Sequence, residues 1–104
     1  MYKRQVQSRQ ITYEAINEAT AAYFKIKPDE LFTKKRTQSI ATARHIAMYL
    51  CRELIDLSYP RIGEIYGGRD HSTVIHAYDK INAQRKKDPT IEKAIVYLTE
   101  QLNQ

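Results

Sequence analysis

Four polar side chains stand next to one another shortly after a glycine pair in the middle of the chain: Asp70, His71, Ser72 and Thr73. A carboxylate accepts hydrogen bonds, while a hydroxyl or a neutral imidazole both donates and accepts them. On the first turn of an exposed helix, such groups can bond to the edges of nucleotide bases, and a carboxylate suits an amino group such as that of cytosine. A purely structural role is the alternative for Asp70, because aspartate is also a favourable helix N-cap.

The histidines and the single cysteine do not form a pattern typical of catalysis or metal binding. His71 and His76 are five residues apart, about 140° around a helix, unlike the i, i+4 pair that shares a metal ion. Cys51 has no evident base beside it, so a part-buried structural thiol is favoured over a nucleophile. We therefore expect no enzyme activity, no metal site and no cofactor.

Positive charge is concentrated in two stretches of the sequence. The chain has 17 Lys and Arg against 12 Asp and Glu, for a net charge of +5. Residues 34–52 hold five cations and no acid, and residues 1–10 hold three cations and no acid. A solvated charged surface is one interpretation. The functional interpretation is a site for a polyanion, with a phosphate backbone as the favoured target.

Length and composition indicate one globular domain. The 104 residues suffice for a single core, and 42% hydrophobic content with 28% charged residues is ordinary for such a domain. No apolar stretch reaches membrane-spanning length, the first ten residues are too polar for a secretory signal, and one cysteine cannot form an internal disulfide. We expect a cytoplasmic protein with a basic linker or arm at residues 1–10 and one domain at residues 11–104.

Helical periodicity dominates, and no strand pattern competes with it. Apolar residues at steps of three and four predict a long central helix, a first helix from about Thr12 to Phe24 and a closing helix that Asp88 and Pro89 begin. Pro28 suits the start of a short helical turn before the central helix. The apolar positions of the central helix are Ile40, Ala43, Ala47, Leu50, Leu54 and Leu57. The sequence thus predicts an all-α fold of about five to six helices.

The distinctive segment joins two helices by a tight turn. Pro60 can open a short helix that runs to Tyr66, the glycine pair supplies a turn, and a second helix begins near His71. A short helix, a tight turn and a second helix with polar residues at its start is the helix-turn-helix arrangement of DNA-binding proteins. An ordinary pair of packed helices in a bundle has the same periodicity, so periodicity alone leaves both interpretations open.

Residues 67–77 read GGRDHSTVIHA, which closely resembles the GGRDHTTVLHA signature of the carboxy-terminal DNA-binding domain of the bacterial replication initiator DnaA. Two conservative changes, at Ser72 and Ile75, separate them. KIKPDELFTKKR, AMYLCREL and YPRIGEIYGG also resemble the corresponding family segments, so that residues 11 to about 98 can be laid along the family. The chain departs from it at Gln38, where a basic residue is frequent, and at residues 43–45, which read Ala-Arg-His in place of Pro-Arg-Gln.

The resemblance implies sequence-specific binding of double-stranded DNA at replication-origin boxes, or at related boxes in promoters, in the nucleoid. It implies base reading in the major groove by Asp70, His71 and Ser72, with Thr73 close behind. Arg36 is then expected to enter the minor groove. Expected phosphate contacts are Lys34, Lys35, Thr37 and His76, although His76 packing within the domain is an alternative.

Two further cations are expected to meet the DNA from the central helix. Arg44 and Arg52 are eight residues apart, about 80° around a helix and about 12 Å along it, so both can face one phosphate backbone. We also expect Arg44 to reach a base. Solvated cations are the alternative for each.

The resemblance covers only the final domain of the initiator, and the GxxxxGK[ST] phosphate-binding loop of an ATPase is absent from this sequence. We expect either an excised domain or a stand-alone regulator that binds similar boxes, and a monomer in isolation. Regulatory proteins of replication initiation are expected as further partners. A domain used mainly for protein-protein interaction is the rival interpretation from another functional class.

Overall fold

The computed structural model describes residues 11–35 and 37–103, and within these ranges all the regular secondary structure is helical. The helices are α1 (Tyr13–Phe24), α2 (Gln38–Ile55), α3 (Tyr59–Ile65), α4 (His71–Gln84) and α5 (Pro89–Leu102), and a 3-10 helix (Pro28–Phe32) lies between α1 and α2. This architecture confirms the predicted all-α fold. The predicted arm at residues 1–10 lies outside the described residues.

Local capping explains where the first and last helices begin. The Thr12 hydroxyl oxygen accepts a hydrogen bond from the Ala15 amide at 3.1 Å. Asp88 accepts from the Thr90 amide at 2.9 Å, and Pro89 occupies the first turn of α5. Each cap satisfies one of the backbone donors that a helix start leaves without a partner, so the predicted starts of both helices are confirmed.

Helix α2 is the centre of the fold, packing against α1 and α4, while α3 packs on α4 and α5 packs on α1. The sequence predicts one apolar stripe along α2, but the structure buries more of its circumference. The buried residues that lie off the predicted stripe are Arg44, Ile46, Met48, Tyr49 and Cys51. A helix with neighbours on several sides needs more than one apolar face, and α2 has them.

The predicted extension of α2 through Leu57 is wrong. The helix ends at Ile55 because Asp56 adopts a left-handed conformation with φ 55°, and its amide bonds to the Cys51 carbonyl. Leu57 nevertheless packs against the core, because the chain turns back and its amide also bonds to the Cys51 carbonyl at 3.3 Å. The apolar spacing therefore identified a core residue but not the end of the helix.

A buried polar group fixes α3 to the rest of the domain. The Tyr66 hydroxyl donates to the side-chain oxygen of Asn17 in α1 and lies 3.5 Å from the Cys51 sulfur in α2. Tyr66 and Cys51 are fully buried, and Asn17 is nearly so. This contact holds α3, and so the turn that follows it, in a fixed position on α1 and α2. None of the described helices is both long and apolar enough to span a membrane.

Candidate nucleic-acid interface

A close backbone contact sets the turn between α3 and α4. The Arg69 amide donates to the Gly63 carbonyl at 2.8 Å. A Cβ atom added to Gly63 would lie 2.1 Å from the Arg69 carbonyl oxygen, so only glycine permits this approach. Gly67 and Gly68 have φ values of 93° and 74°, in the region where side chains are strained. The three glycines of the chain thus build the sharp turn of a helix-turn-helix.

The first turn of α4 presents the four predicted base-reading side chains together at the surface. Asp70, His71, Ser72 and Thr73 are all exposed. Asp70 occupies the N-cap position, but its carboxylate makes no capping hydrogen bond and accepts one from the Ser72 hydroxyl instead. That hydrogen bond lowers the pKa of Asp70 below its usual value. A charged acceptor and a hydroxyl therefore stand side by side at the tip of α4.

The basic segment, residues 33–37, precedes α2, and its described residues lie beside the turn that precedes α4. A cleft of about 270 Å³ separates them, lined by Phe32, Lys34, Gly67, Gly68, Arg69 and Thr73. A Cβ atom on Gly67 would lie 3.2 Å from the Phe32 carbonyl oxygen, which shows how close the two segments are. Lys34, Lys35 and Thr37 are exposed. Arg36 lies outside the described residues, so its role stays a prediction.

Arg44 has a different environment from the one predicted. It is 5% exposed and donates from Nε to the Leu31 carbonyl at 3.0 Å. Its Nη2 donates to the Thr33 carbonyl at 2.8 Å and to the Lys35 carbonyl at 2.9 Å. Burial, together with the nearby Arg69, lowers the pKa of Arg44. The guanidinium is thus turned inward to hold the basic segment, and does not lie on the surface with Arg52.

Arg69 belongs to the site but was not predicted from the sequence. Its Nη2 donates to the Thr33 carbonyl at 2.8 Å, the same oxygen that Arg44 binds. The available signal was its place in the motif itself, between Gly68 and Asp70, opposite a stretch of cations without acids. The charge distribution in the sequence indicated the basic segment, but it did not indicate that Arg69, in the turn before α4, binds the backbone of that segment.

Arg52 and His76 stay near the surface. Arg52 donates to the Leu57 carbonyl at 3.1 Å, lies 3.3 Å from an Asp56 carboxylate oxygen and sits 4.9 Å from the centre of the Tyr59 ring. Its side chain is 35% exposed, so part of it faces solvent beside the start of α3. His76 is exposed on α4, one turn after Ser72. Their predicted phosphate contacts stay predictions.

Comparison with known proteins identifies the family. The family model described as the bacterial DnaA protein helix-turn-helix matches residues 13–81, more than half of the chain. The chain belongs to this family. Membership makes it a DNA-binding helix-turn-helix domain of the DnaA type.

Two solved structures are similar to this DnaA-family domain. A crystal structure of a DNA replication initiation factor matches with a TM-score of 0.74 and 28% identity, over 86% of this chain and 29% of that one. AMPPCP-bound DnaA from Aquifex aeolicus matches with a TM-score of 0.70 and 30% identity, over 86% of this chain and 26% of that one. The chain therefore spans less than a third of the length of these initiators.

His45 on α2 lies close to the positive charges of the interface. His45 is half-buried on α2, and burial together with the charges of Lys80, Arg44 and Arg69 lowers its pKa to about 4.

Cys51 is fully buried in the core, and this burial raises its pKa to about 11. A thiol held protonated in the core is a structural residue, as its sequence context predicts.

Proposed function

We propose that this domain binds double-stranded DNA sequence-specifically at replication-origin boxes of the DnaA type, and through them takes part in initiating or regulating replication. The observation that carries the proposal is the exposed polar tip of α4 beside the exposed basic segment, across one cleft. A recognition helix that enters the major groove by its first turn presents such groups to base edges. Lysines beside it then meet the flanking phosphates.

The two segments have different tasks in this proposal. Asp70, His71 and Ser72 read bases in the major groove, with Thr73 near a base or a phosphate. Lys34, Lys35, Thr37, Arg52 and His76 contact phosphates, and Arg36 reads the adjacent minor groove. Arg44 supports the segment that carries Arg36 and does not itself contact DNA, because it is buried and its Nε and Nη2 donors are engaged with backbone carbonyls.

Affinity measurements with matched duplexes test the proposal. The chain is titrated against a duplex bearing a DnaA box and against a scrambled duplex, each at two salt concentrations. We expect preference for the box, together with a steep loss of affinity at higher salt because phosphate contacts release counterions. Equal affinity for the two duplexes would contradict sequence-specific binding. Weak binding with little salt dependence would instead favour a domain that serves mainly to dock proteins.

Variants at the tip of α4 locate the reading surface. His71→Ala and Ser72→Ala are expected to reduce discrimination between the two duplexes by about 1–3 kcal/mol, the typical value of a good base contact. Non-specific binding should change little. Gln101→Ala, an exposed polar position on α5, is the matched control and should leave discrimination unchanged. Equal losses on both duplexes would show that these side chains do not read bases.

A further inference from the structure

One backbone oxygen joins two parts of the interface that lie far apart in the sequence. The Thr33 carbonyl accepts from Arg44 Nη2 of α2 and from Arg69 Nη2 of the turn before α4, both at 2.8 Å. Thr33 lies three residues before Arg36, and Arg69 lies directly before Asp70. The segment predicted to reach the minor groove and the helix predicted to read the major groove are therefore tied to the same atom.

Arg44 extends this hold along the whole approach to Arg36. Its guanidinium binds the carbonyls of Leu31, Thr33 and Lys35, so the backbone is fixed up to the residue next to Arg36. A guanidinium offers five donors in a rigid planar fork, which suits it to bind several carbonyls at once. Lysine offers a flexible point charge and could not reproduce this arrangement.

The two guanidinium groups are together without a neutralising acid. Within residues 11–35 and 37–103, neither Arg44 nor Arg69 lies within 4.0 Å of a carboxylate oxygen. The Nε atom of Arg69 is also buried without a hydrogen-bond partner. Two adjacent cations repel each other, so packing alone does not favour this pair. The backbone carbonyls that the two groups bind offset this repulsion, which fits a pair whose role is to hold the basic segment.

We propose that Arg44 and Arg69 form a positioning pair that sets the basic segment relative to α4, so that minor-groove and major-groove reading depend on each other. This inference rests on the proposed function. Arg44 and Arg69 act through Thr33 and need no contact with a base. Loss of Arg69 should therefore weaken selectivity at the minor-groove position, although Arg69 belongs to the turn before the major-groove helix.

The test compares Arg69→Gln with two variants that also remove one positive charge. Lys34→Gln lies in the basic segment, where the lysine is exposed, and Lys93→Gln lies on the exposed side of α5. Each is titrated against a DnaA box, the same box with G·C in place of A·T at the minor-groove position, and a scrambled duplex. Thermal unfolding is measured in parallel.

We expect Arg69→Gln to reduce the preference for A·T over G·C about threefold to tenfold, the range for loss of one hydrogen bond. Its loss on scrambled DNA should equal that of Lys34→Gln, which keeps the A·T preference. Lys93→Gln should resemble wild type. If Arg69→Gln instead weakens all three duplexes by the same factor as Lys34→Gln, Arg69 supplies only charge and the inference is overturned.

Two further measurements keep the result decisive. Arg69→Lys retains the charge without the planar fork, so it should restore affinity for scrambled DNA but not the A·T preference. The same variant takes the place of Arg69→Gln if Arg69→Gln unfolds. In the free protein, amide hydrogen exchange at Lys35 should accelerate in both Arg69 variants, and an unchanged rate would overturn the inference without DNA. A failure of the proposed function is recognised separately, because wild type would then bind box and scrambled duplexes equally.

Discussion

Acid should destabilise this domain through His45, a half-buried histidine of α2. In the folded protein its pKa is lowered to about 4, chiefly by burial and further by the charges of Lys80, Arg44 and Arg69. In the unfolded chain the pKa returns to about 6.5. Between these values the unfolded chain binds a proton that the folded protein does not bind, so the free energy of unfolding falls as the pH falls.

The size of the effect follows from the two pKa values. Each pKa unit corresponds to about 1.4 kcal/mol, so the free energy of unfolding should fall by about 1.4 kcal/mol between pH 7.5 and 5.5. By pH 4.5 the loss should approach about 2.5 kcal/mol, against about 3.4 kcal/mol for the full depression from about 6.5 to about 4, and solvent screening of the partly exposed ring makes both values upper bounds. Above about pH 7.5 the imidazole is neutral in both the folded and the unfolded protein, so His45 no longer makes the free energy of unfolding depend on pH.

Urea unfolding at pH 7.5, 6.5, 5.5 and 4.5 measures this dependence in wild type and in His45→Gln. Glutamine keeps a polar side chain of similar reach without a titrating group, so His45→Gln should lose the decline between pH 7.5 and 5.5, above the range in which carboxylates titrate. His76→Gln removes an exposed histidine of α4 and serves as the control, which should follow wild type. If His45→Gln declines as steeply as wild type between pH 7.5 and 5.5, His45 is not the group responsible and the reasoning is refuted.

Three other substitutions probe the interface and its turn. Arg52→Ala should make the fall of log affinity with log salt less steep by about one, while selectivity is kept. Lys93→Ala is the control, and an unchanged slope for Arg52→Ala would place Arg52 off the DNA. Arg36→Lys should bind an A·T-rich box clearly worse than wild type while keeping non-specific affinity. If Arg36→Lys instead binds both the A·T and the G·C boxes as wild type does, Arg36 only neutralises phosphate charge. Gly63→Ala places a Cβ atom 2.1 Å from the Arg69 carbonyl oxygen, so the free energy of unfolding should fall by about 3 kcal/mol or more, the upper end of the usual cost of overpacking. Thermal unfolding measures this loss, and a stability equal to that of wild type would mean that the turn moves freely.

The sequence was sufficient to predict the helices, because their signals are local. Apolar spacing of three and four residues marks the buried faces, and a capping side chain needs only a neighbour three residues away, as at Thr12. The motif around Gly67 and Gly68 also predicted the helix-turn-helix, since positive φ values are a property of the glycines themselves. Local rules failed at the end of α2, where Asp56 takes a left-handed conformation that few aspartates adopt.

What only the tertiary structure decided is the role of the arginines. Sequence placed Arg44 on a helix with Arg52 and treated both as cations that face DNA. The folded chain brings the carbonyls of Leu31, Thr33 and Lys35 beside α2, in and after a 3-10 helix that does not satisfy them all internally. Buried carbonyl groups without partners are costly, and a guanidinium 9 to 13 residues away along the chain meets that need.

The same physical reason explains why Arg69 escaped prediction. Its acceptor, the Thr33 carbonyl, lies 36 residues away in the sequence, and no periodic pattern links positions so far apart. Residue type and spacing determine which side chains carry charge and which helix faces are apolar. Which backbone oxygen each guanidinium meets is determined by how the packed helices place the irregular segments between them.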